Sequence, residues 1–132
     1  LWGFQHFSNN LDTGTILVWV KRNDNGFGTF LSDADTAWFN KGHGVYCFRD
    51  MSMYSNKDKL HPTQKPVPLM MWCIKKSKTT DTVLDPFLGS GTTAVACERL
   101  NRKWIGIEIS EDYCQIAKER IERERQQLKL FK

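Results

Sequence analysis

No apolar run in this chain approaches the about 20 residues that cross a bilayer, and no basic start followed by an apolar stretch marks a signal peptide. Neither a transmembrane helix nor secretion is therefore expected. Cysteine is sparse and scattered: Cys47, Cys73, Cys97 and Cys114 form no C-x-x-C pair, which removes the usual zinc and thiol-redox spacings. They read as reduced, mostly buried thiols of a cytoplasmic protein. Adjacent prolines are also missing, since Pro62, Pro66, Pro68 and Pro86 all stand apart. Repeats and low-complexity stretches are absent. Neither sign of charge dominates, and a net charge of +4 favours a polyanionic partner only mildly. What remains is a chain of 132 residues, 40% hydrophobic, which suits one domain with a real core.

The order of elements is informative. Leu1 to Phe7 is apolar and aromatic from the first residue and reads as a strand already inside a sheet, so chain upstream of Leu1 is expected. Thr15 to Lys21 is a second strand, rich in β-branched and aromatic residues, and the turn-formers Asn23 to Gly28 end it. Thr36–Phe39 and Val45–Phe48 read as short strands around a glycine-containing loop, and Asp50 to Lys59 as a mobile surface loop. From Lys65 onward helix and strand alternate. Pro66 to Lys76 is a mostly buried helix with a basic end, Thr82–Asp85 a short buried strand, and Thr92–Leu100 a helix. Trp104–Ile109 is a strand and Glu111 to about Leu130 a long charged helix, with Ser110 at its N-cap. Such alternation implies parallel pairing in an α/β sheet covered on both faces.

One segment carries ligand chemistry. Asp85-Pro86-Phe87-Leu88-Gly89-Ser90-Gly91-Thr92-Thr93 lies between a strand and a helix, where ligands of open α/β sheets bind. Glycine there lets the backbone turn sharply and approach a ligand closely. Gly91→Val is accordingly expected to place a branched Cβ in ligand space. The run is not a phosphate-binding P-loop, because Thr92 follows Gly91 where lysine is needed. A dinucleotide fingerprint fails as well, because Ala94 stands where its third glycine belongs, although this exclusion is weaker since a form with alanine exists. Glu108 ends the next strand at roughly the 20-residue separation at which an acidic side chain grips ribose hydroxyls, and Ile107 and Ile109 can border a flat adenine. His61-Pro62-Thr63-Gln64-Lys65-Pro66 is, by itself, a rigid loop before a helix.

Taken in order, HPTQKP, DPFLGSGTT and GIEIS resemble the beta-group DNA methyltransferases, which modify the amino groups of adenine or cytosine. The likeness is strong from residue 61 to about residue 120, and looser over the first 50, through Trp19-Val20-Lys21-Arg22-Asn23. It implies a Rossmann-like fold dependent on S-adenosyl-L-methionine, in permuted order, with a mostly parallel sheet, an antiparallel edge and its N-terminal strand missing. Residues 1–60 would be the C-terminal part of the catalytic, DNA-facing half, residues 61–132 the cofactor-binding half, and both together one domain. Asp85, Phe87, Gly89, Ser90, Gly91 and Thr92 would surround the methionine part, Thr63 and Lys65 would lie near its charged end, Glu108 would hold the ribose, and Ile109 would border the adenine. Phe87 could also attract the cationic sulfonium.

The resemblance also exposes a gap. Amino methylation in that family needs a D-P-P-Y-like tetrapeptide, whose oxygens accept the amino protons while its aromatic residue stacks on a flipped base. With no Pro-Pro pair, this chain offers no catalytic residue and, taken alone, is expected to be inactive. Two readings stand: the C-terminal part of an adenine-preferring enzyme of restriction–modification type, or a non-catalytic partner subunit that holds cofactor or DNA. A methyltransferase acting on a protein amide is a third. Double-stranded DNA is the expected partner, with a second copy or another subunit beside it; no membrane and no metal are. Lys21, Arg22, Lys57 and Lys59 read as solvated charges, and Lys118 to Arg125 as a helix surface with i,i+4 pairs. His43 reads as a turn residue and His61 as structural.

Overall fold

The computed structural model describes residues 1–29, 32–52, 59–61 and 63–130. The expected loop over residues 50–59 falls largely outside them, as do Lys57 and Pro62. Leu1–Asn56 and Lys57–Lys132 form two compact units.

In the first unit, three strands, β1 (Thr15–Val20), β2 (Ala34–Phe39) and β3 (Gly44–Arg49), lie in the order β2-β1-β3. β1 pairs antiparallel with β2 and parallel with β3. It buries Thr15, Leu17 and Trp19 on alternate positions, as a period of two requires. The loop between β2 and β3 crosses beneath the start of β1. There the buried Thr15 hydroxyl donates to the Lys41 carbonyl at 2.8 Å, and Gly42 takes the left-handed φ of 67°. The Trp19 indole N–H reaches the Asp50 carbonyl at 2.8 Å.

Leu1–Phe7 is not the strand its composition predicts. Trp2 makes one antiparallel bridge to Ala37, after which Gly3, at φ 68°, turns the chain into 3-10 turns over Phe4–His6 and Ser8–Asn10. Arg22 is no solvated charge either. It is buried and donates to the Gly26 carbonyl and the Thr29 hydroxyl, tying the turn together, while Lys21 pairs with Asp35 at 2.7 Å.

The second unit packs three helices, α1 (Val67–Ser77), α2 (Thr92–Arg99) and α3 (Glu111–Leu130), with two parallel strands, β4 (Val83–Asp85) and β5 (Trp104–Gly106). Pro66 and Pro68 open α1, where no intrahelical N–H is lost. Lys75 and Lys76 stand in its last turn, the favourable place for cations. α2 is the centre of the core: Thr92 to Cys97 are all buried, and small side chains let α2 pack closely on both α1 and α3. Burying side chains such as Leu69 and Val95 outright contributes about 1.5–3 kcal/mol each. Ser110 caps α3 as expected, its hydroxyl accepting from the Tyr113 N–H at 3.4 Å.

Two expectations need correction. The strand begun at Trp104 stops at Gly106 and does not run to Ile109, because its partner β4 ends at Asp85, opposite Gly106. Nor is this pair covered on both faces within its unit. Val83 and Trp104 pack against the helices, whereas Leu84 and Ile105, on the other face, are more than half exposed. Among the described residues, no helix is long and apolar enough to cross a membrane, and no cluster of His, Cys, Asp or Glu could hold a metal ion.

Candidate functional site

The turn from Asp85 to Gly91 leaves the carboxyl end of β4 and enters α2. Its shape is held by hydrogen bonds within the turn and to Ile107, just past β5. The Asp85 carboxylate accepts from the Phe87 N–H at 3.0 Å, the Asp85 carbonyl from the Ile107 N–H at 2.9 Å, and the Ile107 carbonyl from the Leu88 N–H at 2.8 Å. Gly89 and Gly91 adopt φ of 55° and 83°, the region where a side chain is costly.

Glu108 is the hinge of this arrangement. One carboxylate oxygen accepts from the Gly89 N–H at 2.7 Å and the other from the Ser110 N–H at 2.9 Å. The Ser110 amide first, and then that of Gly89, hold its carboxyl below the usual value, so it is ionised at neutral pH. Each oxygen keeps lone pairs for further donors. Around it lie large apolar side chains with little cover: Phe87 is 86% exposed and Ile109 99%, with Ile107 also open. A carboxylate rimmed by bare apolar surface, at the carboxyl ends of parallel strands, can take a ligand with paired hydroxyls and a flat ring.

The other predicted residues divide by where their side chains go. Ser90 and Thr92 are buried, and their hydroxyls accept from the Arg120 guanidinium at 3.2 and 2.9 Å. Ser90 also donates to Gln64 at 3.0 Å. Gly91 faces inward too: a Cβ there would stand 3.1 Å from the Ala117 Cβ. The expectation that Gly91→Val fills ligand space is thus overturned, since the added group would strike α3. A Cβ at Gly89 would instead meet His61 at 3.6 Å, an ordinary contact.

Within the H-P-T-Q-K-P run, Thr63 is exposed and Lys65 half-buried. His61 Nδ1 accepts from the Thr63 N–H at 3.2 Å, and the His61 ring lies 4.4 Å from that of Tyr113. Gln64, Tyr113 and Arg120 thus join the site, although their composition alone does not mark them. A legible signal existed for Arg120. Ala117, Ile121 and Glu124 form a buried stripe at helical spacing, and Arg120 falls within it. Within the charged run on α3, Lys118, Glu119, Glu122, Arg123 and Arg125 are exposed as a helix surface should be, whereas Arg120 and Glu124 turn inward. Glu124 is buried and accepts from Nε and Nη2 of Arg99, each at 2.8 Å, and Arg125 reaches Glu98 at 2.6 Å. A cavity of about 690 Å³ beside Trp104 and α3 shares no residue with the glycine turn.

Comparison with known proteins adds the family. A model of the N6/N4 DNA methylases matches residues 12–119. The chain belongs to this family. The type II methyltransferase M2.LlaDCHI of Lactococcus lactis subsp. cremoris is 35% identical over 121 residues, 89% of this chain and 44% of that protein. M2.DpnII of Streptococcus pneumoniae is 34% identical over 124 residues, 91% of this chain and 45% of its own length. The chain thus spans less than half the length of these relatives. Among solved structures, the complex of M1.HpyAVI with SAM superposes with a TM-score of 0.65 at 33% identity, covering 89% of this chain and 68% of that one. The fold is accordingly the α/β, Rossmann-like fold of these DNA methylases, and the antiparallel β2 at the edge of its sheet matches the expected edge strand.

Proposed function

We propose that this chain is the cofactor-binding part of an enzyme that methylates an exocyclic amino group in DNA, adenine before cytosine, using S-adenosyl-L-methionine. The observation that carries this reading is Glu108, whose ionised carboxylate sits between the Gly89 and Ser110 amides beside the open Phe87, Ile107 and Ile109. Its free lone pairs suit ribose hydroxyls, and the isoleucines suit an adenine face. Phe87 offers a π-face to a sulfonium. The positive end of α2, with Asp85, Gly89 and Gly91 at its entrance and Thr63 and Lys65 on either side of Gln64, which bonds to Ser90, suits the amino-acid end of the ligand. When bound, the cofactor supplies the methyl group. The residues of this chain bind and orient it, with Ser90 and Thr92 acting from beneath the turn.

The same reading makes residues 1–60 part of the DNA-facing half of one domain, with double-stranded DNA as substrate. Because the chain has no Pro-Pro-aromatic run, it should transfer no methyl group when assayed alone. That absence also sustains the second reading, a non-catalytic subunit that holds cofactor or DNA for another. Calorimetry with S-adenosyl-L-methionine tests the binding claim: the chain should bind, and Glu108→Ala should weaken binding on the order of 10- to 100-fold. Unchanged affinity in that variant would remove Glu108 from the site. A labelled-methyl assay on mixed-sequence duplex DNA, with the chain alone and within any longer protein that carries it, separates the enzyme from the subunit.

A further inference from the structure

We infer that Arg120 of α3 is a positioning residue for the cofactor turn, fixing Ser90 and Thr92 from behind so that Gly89 and Gly91 keep the backbone a ligand would meet. The inference rests on the cofactor reading above. A single guanidinium nitrogen, Nη1, faces three acceptors: the Ser90 carbonyl at 3.1 Å, the Ser90 hydroxyl at 3.2 Å and the Thr92 hydroxyl at 2.9 Å. Both residues are buried, so water cannot replace a lost donor cheaply. The Ser90 hydroxyl spends its own proton on Gln64, whose side-chain oxygen also accepts from the Leu60 N–H at 3.0 Å. Three separate segments therefore meet at one hydroxyl: residues 60–64, the glycine turn and α3.

The alternative is that Arg120 merely fills space in the helix layer. Its geometry argues otherwise. Glu124, the nearby acid, has both oxygens taken by Arg99, and Arg120 directs Nη1 at the turn instead. Burial first, and then the neighbouring Arg99, lower its pKa, so holding a cation here is costly and an apolar side chain would satisfy packing alone.

Arg120→Met keeps the length of the side chain and removes the donors, and Arg120→Lys returns one cationic donor. S-adenosyl-L-methionine affinity is measured by calorimetry, and amide hydrogen exchange is followed without ligand at Gly89 and Gly91, whose N–H groups bond to Glu108 and to the Leu88 carbonyl. R120M should bind about tenfold more weakly and exchange faster at those two amides, with Val95 to Cys97 still protected, and R120K should recover part of both. Wild-type binding and exchange in R120M would overturn the inference. So would loss of protection throughout α2 and α3 in both variants, which marks a purely structural role. If the unsubstituted chain takes up no S-adenosyl-L-methionine, the cofactor reading falls by itself, and faster exchange at Gly89 and Gly91 in R120M still upholds the positioning role.

Discussion

Gly91 is where ligand binding and folding are most easily confused, and Gly91→Ala separates them. The substitution meets two costs. With φ at 83°, the backbone is left-handed, which for a residue with a Cβ costs about 1–2 kcal/mol. The new methyl would also stand 3.1 Å from the Ala117 Cβ and 3.3 Å from its Cα, and such overpacking typically costs about 1–3 kcal/mol. Together these reach about 2–5 kcal/mol, a large part of the stability of an ordinary domain.

Urea denaturation measures the total, and a double-mutant cycle with Ala117→Gly divides it. Ala117→Gly alone should cost about 1 kcal/mol, as glycine does in a helix interior. Combined with Gly91→Ala, it removes the closer of the two contacts, so the pair should show a favourable coupling of about 1 kcal/mol or more. The backbone cost has no partner in α3 and stays. A Gly91→Ala variant as stable as the unsubstituted chain would refute the packing of this turn on α3. One that kept its stability but lost S-adenosyl-L-methionine would return Gly91 to the ligand side.

Other substitutions and conditions read the same packing. Arg99→Met strands the buried Glu124 carboxylate and should cost about 2 kcal/mol, at the low end because the Arg99 side chain is 40% exposed; Arg99→Met with Glu124→Met should recover most of it in urea melts, and equal losses in both would reject the pairing. Burial pushes the Cys97 thiol from 9.0 up to about 11, so the folded state keeps a proton that the unfolded chain gives up above pH 9. That stability is fully present below pH 9 and lost as pH rises towards 11, by about 3 kcal/mol at most, and Cys97→Ala should flatten the alkaline limb. The Glu98 carboxyl is held below its usual value, first by the Arg125 hydrogen bond. Its contribution is therefore present above pH 4.5 and lost as the pH falls through its folded value, and an acid urea series with Glu98→Gln should lose that dependence.

How much of this the sequence carries depends on whether a residue's neighbours are close in the chain. The three helices and the start of each main strand follow from local pattern: apolar spacing in α1, Ser110 before α3, β-branched residues in β1. Leu1–Phe7 has strand composition, yet one glycine at φ 68° turns it away after a single bridge. Ile107 to Ile109 has strand composition too, but a ladder lasts only as long as its partner, and β4 ends at Asp85. The alternating charges of α3 satisfy a solvated helix as well as they satisfy cross-helix pairs. Only the coincidence of Arg120 and Glu124 with the Ala117–Ile121 stripe tips the balance inward.

The glycine motif shows the same division within a single turn. Its residues announce close approach, and the approach is real at both glycines. Local sequence cannot say what does the approaching, because the deciding atoms belong to residues far along the chain. At Gly89 the neighbour is the edge of His61, and its amide is held by Glu108, on the side left open to a ligand. At Gly91, two residues on, the neighbour is Ala117 of α3, its methyl first and then its backbone. One glycine can therefore serve the ligand while the other serves the core. Ser90 between them, with its hydroxyl shared by Gln64 and Arg120, couples the two.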